Sequence, residues 1–276
     1  MMEKRKIKRA WKVSIKKHTD SHSSGFVIEP GHWEEFDPFL LMAEDYFKRG
    51  TFGPHPHRGM ETVTYVIDGV LEHEDNKGGA GTLYPGDAQW MTAGKGVIHS
   101  EEPAIGETVH SLQLWVNLPS DKKMTEPRYQ NLLGKEMPIR VEHGVSVKVF
   151  SGSSGDVQSK TQNHVPITMV EINLEKGATF AQDIPPHYNG FIVILAGAGT
   201  FGSNGIEGTK GDVLLLERIE GDGHTEVDIV ASEPLRILLY AGQPVHEPVV
   251  ARGPFVMNTE EEIKQAYSDF RNGKFI

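Results

Sequence analysis

The chain has 276 residues, enough for two domains of ordinary size, and 38 acidic residues against 28 basic ones give a formal net charge of −10. That balance excludes direct nucleic-acid binding as the main task, and 30 Gly with 16 Pro describe a turn-rich globular protein. With no cysteine, disulfides and thiolate metal ligands are excluded, and the expected compartment is the cytoplasm.

No stretch is long and apolar enough to span a bilayer, and the first residues lack the apolar core of a signal peptide, so no membrane association is expected. Lys4 to Lys17 is basic but alternates with Ile7, Ala10, Trp11 and Val13. We read it as a solvated first strand; a targeting or nucleic-acid-binding arm is the competing reading. From Glu61 to Ile67 the chain reads ETVTYVI, and after Gly69 a second run covers Val70 to Glu74. Such β-branched and aromatic runs, broken by glycine, predict a hairpin. Further strands are expected at Gln89–Thr92, Val97–Ser100 and Ser111–Asn117. Residues 119–138 are polar and irregular, and read as an excursion between two barrels.

A second set of strand-like runs begins near Val145: SVKVFSG, PITMVEINL, GFIVILAG, DVLLLER, TEVDIV and LRILLYAG. Asp87 and His99 are twelve positions apart, as are Asp212 and His224, a rhythm that fits duplication of one barrel but that chance also allows. Near the end, Thr259 and Glu262 form a capping-box pattern, and Ile263, Ala266, Tyr267 and Phe270 share one helical face. The predicted architecture is all-β: an N-terminal barrel over 1–133 and a C-terminal barrel over 134–276, closed by a helix at about 259–272.

The chemistry lies in two short motifs. In a strand, His55 and His57 point to the same side, about 6.5–7 Å apart along the backbone, close enough to lean toward one metal ion. His99-Ser100-Glu101 repeats that geometry with a carboxylate as the second ligand. A lone His-x-His is a weak signal, and buried histidines satisfied by hydrogen bonds are the alternative. Here the glycines and proline around the first dyad, and Pro85-Gly86-Asp87 before the second, match the two motifs of a cupin barrel. Glu61, four residues after His57, competes with Glu101 for the same coordination position; spacing and parity alone leave the two unresolved. The second half has one histidine near Pro185-Pro186-His187 and another, His224, in a Gly-Asp-rich turn, too few ligands together for a second centre. His73, His22 and the other unpaired histidines read as surface or structural.

The runs HPHRGMETVTYV and QWMTAGKGVIHSE, followed by QLWVNLP, EPRYQ and the final PFVMNTEEEIKQAYSDF, resemble the pirin family, a branch of the cupins, across nearly the whole chain. The resemblance implies two tandem cupin barrels. It also implies iron in the first, held by residues corresponding to His55, His57, His99 and Glu101, with Glu61 not a ligand and no metal in the second. By chemistry alone, Fe(II), Mn(II), Co(II), Ni(II), Cu(II) or Zn(II) would suit three imidazoles and a carboxylate.

Some pirins resemble quercetin 2,3-dioxygenase, which implies oxidative opening of a flavonol or related enolic substrate by dioxygen. Glu101 would then be both ligand and catalytic base, with Gln113, Phe52 and Met60 expected at the substrate pocket. The alternative implied by the family is a redox-sensitive regulatory protein that binds a transcription factor or a metabolic enzyme. A monomer is expected in either case.

Overall fold

The alternating runs named above all become strands, and their registers build two pairs of sheets. The structure, a computed structural model, describes residues 3–76, 78–221 and 223–275. It divides into one unit of Ser14–Lys135 with Val245–Ile276 and another of Met1–Val13 with Glu136–Pro244.

In the first of these units a seven-stranded sheet runs in the order Arg128–Leu132, Ala88–Thr92, Met60–Asp68, Thr108–Asn117, Phe39–Lys48, His22–Ile28 and Lys16–Lys17. A four-stranded sheet has the order Phe52–His57, Val97–Pro103, Leu71–Asp75 and Ala80–Leu83. Apolar residues from both sheets, among them Phe47, Val66, Leu71, Leu83 and Val109, form a buried cluster. The stretch read as an excursion between barrels holds a strand. Arg128–Leu132 pairs antiparallel with Ala88–Thr92, and its polar appearance reflects an edge position with a single ladder partner.

The other unit has the same plan. Its seven-stranded sheet carries Ile7–Lys12 at one edge, paired with Asp212–Leu216. Its second sheet includes Glu3–Lys4, parallel to Thr225–Ala231. Inside lie Val147, Ile172, Ile192, Ile194, Phe201, Leu214 and Ile237. The basic N-terminal segment is therefore sheet material, pinned by a buried arginine. Arg5 donates Nε to Thr225 Oγ1 at 2.9 Å, Nη1 to Tyr188 O at 2.8 Å, and Nη2 to the carbonyls of Pro185 and Pro186 at 2.6 and 2.7 Å. Burial lowers its pKa to about 10.

The chain is thus divided differently from the expected cut between residues 133 and 134. The first strand joins the later strands, and the closing helix Glu260–Arg271 joins the earlier ones. The reason is packing. Thr259 and Glu262 cap the helix reciprocally, and its Ile263 and Ala266 are buried with Phe255, Met257 and Phe275. Arg58, directly after the first histidine dyad, pairs with Asp269 on that helix at 2.9 Å, both side chains buried. Lys123 Nζ donates to Gly59 O, Asn117 Oδ1 and Val256 O at 2.7–3.1 Å. Gly59 itself has φ 78° and approaches Val256 so closely that a Cβ would sit 1.9 Å from its carbonyl oxygen, so only glycine fits there.

Candidate metal centre and its cavity

The two histidine motifs meet across one strand pair. His99 lies opposite His55 and Val97 opposite His57, with a bulge between His99 and Glu101 that shifts Glu101 opposite Phe52. The ring centroids of His55, His57 and His99 are 4.4–5.1 Å apart. One nitrogen from each lies within 4.8 Å of the others, and among the described residues this is the set of His, Asp and Glu able to hold a metal ion.

Burial keeps His57 and His99 neutral, which a ligand requires. Burial lowers the His57 pKa to about 3, with His55 contributing, and holds His99 well below its ordinary value, helped by His57, His55 and His73. His55 Nδ1 lies 2.8 Å from the carbonyl oxygen of Gly53; donating there leaves Nε2 with its lone pair free. Nδ1 of His57 and both ring nitrogens of His99 are buried without a hydrogen-bond partner. Three converging imidazoles, of which His57 and His99 are buried neutral with orphaned nitrogens, fit a divalent transition metal. Trp115 sets its ring edge-on to His57 at 5.3 Å and fixes the imidazole plane.

Glu101 is buried beside this set, and its carboxylate is not part of the 4.8 Å group. Both oxygens are held by side chains: Oε1 accepts from Thr64 Oγ1 at 2.7 Å and Oε2 from Gln113 Nε2 at 2.6 Å. Thr64 Oγ1 is also 2.7 Å from Gln113 Oε1, so one hydroxyl hydrogen faces two acceptors.

His73 is the residue that sequence reasoning missed. It is buried directly opposite Glu101 in the strand pairing, its ring 5.4 Å from His99 and 4.4 Å from Tyr129, and neither nitrogen has a hydrogen-bond partner. The usable signal was alternation: in Leu71-Glu72-His73, His73 takes the buried parity of Leu71.

Glu61 stands elsewhere. Parity counted from His57 put it inward, but the strand breaks at Arg58 and Gly59 and restarts at Met60. Its Oε1 accepts from Thr92 Oγ1 at 2.6 Å, and Oε2 is buried without a partner. Burial pushes its pKa up to about 7, against the opposing pull of Thr92, Trp90 and Arg128.

A cavity of about 350 Å³ opens beside the histidines. His55, His57, Glu101, Thr64 and Gln113 line it on the polar side; Phe26, Leu41, Phe47, Phe52 and Trp115 line the apolar side. Phe52 and Gln113 are among the residues that line this cavity. Met60 is not: it is buried in a cluster with Leu40 and Val256. In the other unit, His187 and His224 are both exposed, away from that unit's apolar interior.

Two family models match the chain: that of Pirin over residues 32–116 and that of the pirin C-terminal cupin domain over 169–276. The chain belongs to the pirin family. A pirin-like protein of Solanum lycopersicum is 44% identical over 242 residues, covering 87% of this chain and 82% of that protein. Among solved structures, GK1651 from Geobacillus kaustophilus is similar at 59% identity and TM-score 0.89, covering 90% of this chain and all of that one. A quercetin 2,3-dioxygenase from Acinetobacter baumannii is similar at 34% identity and TM-score 0.85, covering 100% of this chain and 99% of that one. The all-β arrangement of two tandem cupin units is thus that of a pirin.

Proposed function

We propose that this pirin is a metal-dependent dioxygenase of the quercetinase kind, with iron held by His55, His57, His99 and Glu101. The observation that carries the reading is the convergence of three imidazoles, two of them buried with orphaned nitrogens, beside an aromatic-walled cavity of about 350 Å³ that also contains a fully hydrogen-bonded carboxylate. The similarity to the Acinetobacter baumannii quercetin 2,3-dioxygenase along the entire chain supports it. Iron bound there would supply open coordination positions and one-electron chemistry, which the reaction of dioxygen with an enolic ring needs.

The protein's own part is to bind, orient and hold a proton. Phe26, Phe47, Phe52 and Trp115 supply apolar surface for a flat aromatic substrate and exclude water. Glu101 takes the proton of the substrate's enolic hydroxyl, and its hydrogen bonds accommodate both protonation states. When Glu101 is ionised, Thr64 donates to Oε1. When Oε1 carries the proton, it donates to Thr64 Oγ1, and the Thr64 hydrogen turns to Gln113 Oε1. Gln113 Nε2 keeps the other carboxylate oxygen in place throughout.

The test is anaerobic loading with Fe(II), then quercetin and oxygen. Carbon monoxide release with the ring-opened ester is expected; absence of both defeats the proposal. Partner capture that differs between Fe(II) and Fe(III) protein would then be the behaviour to look for.

A further inference from the structure

One polar pair in the cavity takes no part in the chemistry above. His22 Nε2 and Asp45 Oδ1 are 2.8 Å apart, and both residues line the cavity. Sheet register gives their place. Gln113 lies opposite Ala43, and Ala43 opposite Phe26; Asp45, two residues on, lies opposite Ser111 and Ser24. Asp45 is therefore one side-chain level, about 7 Å along the strand, from the level of Gln113. His22 lies opposite Phe47, a further two residues on, and its ring meets the Phe52 ring edge-on at 5.3 Å. At the level of Gln113 the cavity wall continues across the sheet through Ala43 and Phe26, and the next level along the strands, with Ser111, Asp45 and Ser24, is polar again.

The dyad is costly to keep if its only role is to join two strands. Asp45 is 6% exposed, and burial pushes its carboxyl pKa up while the bond to His22 pulls it down. The charge of Glu101 reaches it and pushes it further up, which places both carboxylates in one electrostatic field. A buried carboxylate at this level accepts hydrogen bonds, and so favours ligands that offer it a hydroxyl donor. Asp45 Oδ1 is engaged by His22, and Oδ2 is not part of that bond.

We infer that the His22–Asp45 dyad recognises a phenolic hydroxyl on the part of the substrate remote from the metal-chelating edge, and so selects polyhydroxylated aromatic substrates. The assignment rests on the dioxygenase reading for its substrate class, and its test is one of binding. The probes are quercetin and 3-hydroxyflavone, which share the chelating hydroxy-ketone edge but differ in every other hydroxyl. Each is titrated by calorimetry into anaerobic, metal-loaded protein.

Wild type is expected to bind quercetin about tenfold more tightly than 3-hydroxyflavone or better, as a charge-assisted hydrogen bond provides. Asp45→Ala should bring that ratio close to one by weakening quercetin alone, with Asp45→Asn and His22→Gln falling between. Unchanged affinity for 3-hydroxyflavone shows that each variant is folded and that its cavity is intact. A wild type without selectivity, or variants that keep it, overturns the inference. Selectivity that disappears in the variants while no form yields ring-opened product removes the dioxygenase reading and leaves the dyad's role standing. Product formed by wild type with selectivity unchanged in Asp45→Ala does the reverse.

Discussion

Gln113 Nε2 donates to Glu101 Oε2 over 2.6 Å, so the carboxylate beside the three histidines is aimed by an amide on a strand of the opposite sheet. Replacing Gln113 with Leu keeps the volume and removes that aim. Groups that orient metal ligands are typically worth about 10–100-fold in metal affinity. Gln113→Leu should therefore bind Fe(II) or a surrogate divalent ion that much more weakly, with an unchanged far-ultraviolet spectrum; competition with a chromophoric chelator measures it.

His57 should be indispensable to the metal. His57→Ala is expected to lose metal stoichiometry from about one ion per chain to near zero by elemental analysis. A bound ion also stabilises the fold, by about 2.7 kcal/mol at a free concentration one hundred times its dissociation constant. Chelator should accordingly lower the melting temperature of wild type and leave that of His57→Ala where it is.

Glu61 imposes a pH dependence on stability. Its folded pKa, raised by burial to about 7, lies above the ordinary value of 4.5. The folded state then holds a proton that the unfolded state releases, so this contribution is complete below pH 4.5 and is lost as pH rises through about 7. Comparing urea midpoints of wild type and Glu61→Gln cancels the other titrating groups. The variant should gain on wild type by up to about 3 kcal/mol between pH 5 and pH 8. A constant difference between the two proteins would show that Glu61 is ionised throughout.

Arg5 should be sensitive even to its closest replacement. Alanine takes away the guanidinium donors of the Pro186 and Tyr188 carbonyls and one of the two donors of Pro185 O, which keeps the Tyr188 N–H. It also empties the fully buried space of the Arg5 side chain, and the two losses together cost about 3 kcal/mol. Lysine has three donors on one compact ammonium and cannot span the same acceptors. Both variants should shift the urea midpoint downward, with Arg5→Lys recovering only part of the loss.

How much of this was legible beforehand follows from the range of each signal. Alternation is local, so runs such as Glu61–Ile67 and Leu235–Gly242 announced their strands, and the spacing of His55, His57 and His99 announced the centre. The error at Glu61 came from extending one parity through Arg58-Gly59, where a close approach to Val256 resets it. His73 and the His22–Asp45 dyad were hidden because their partners arrive by strand pairing across the sequence, which a single chain does not print. Met60 beside the histidines looked like a wall, but Leu40 and Val256 cover it from distant segments.

The division of the chain also sets an order on its biosynthesis. Ile7–Lys12 is synthesised well ahead of its ladder partner Asp212–Leu216. The unit with the histidines lacks residues 245–275 until the whole of the other unit has been made, and with them the Asp269 that pairs with Arg58 next to His57. Nascent chains thus carry the three imidazoles before the surrounding barrel is complete. The buried Arg58–Asp269 pair therefore forms only once residue 269 has been made, and a chain truncated before residue 245 leaves Arg58 without that partner.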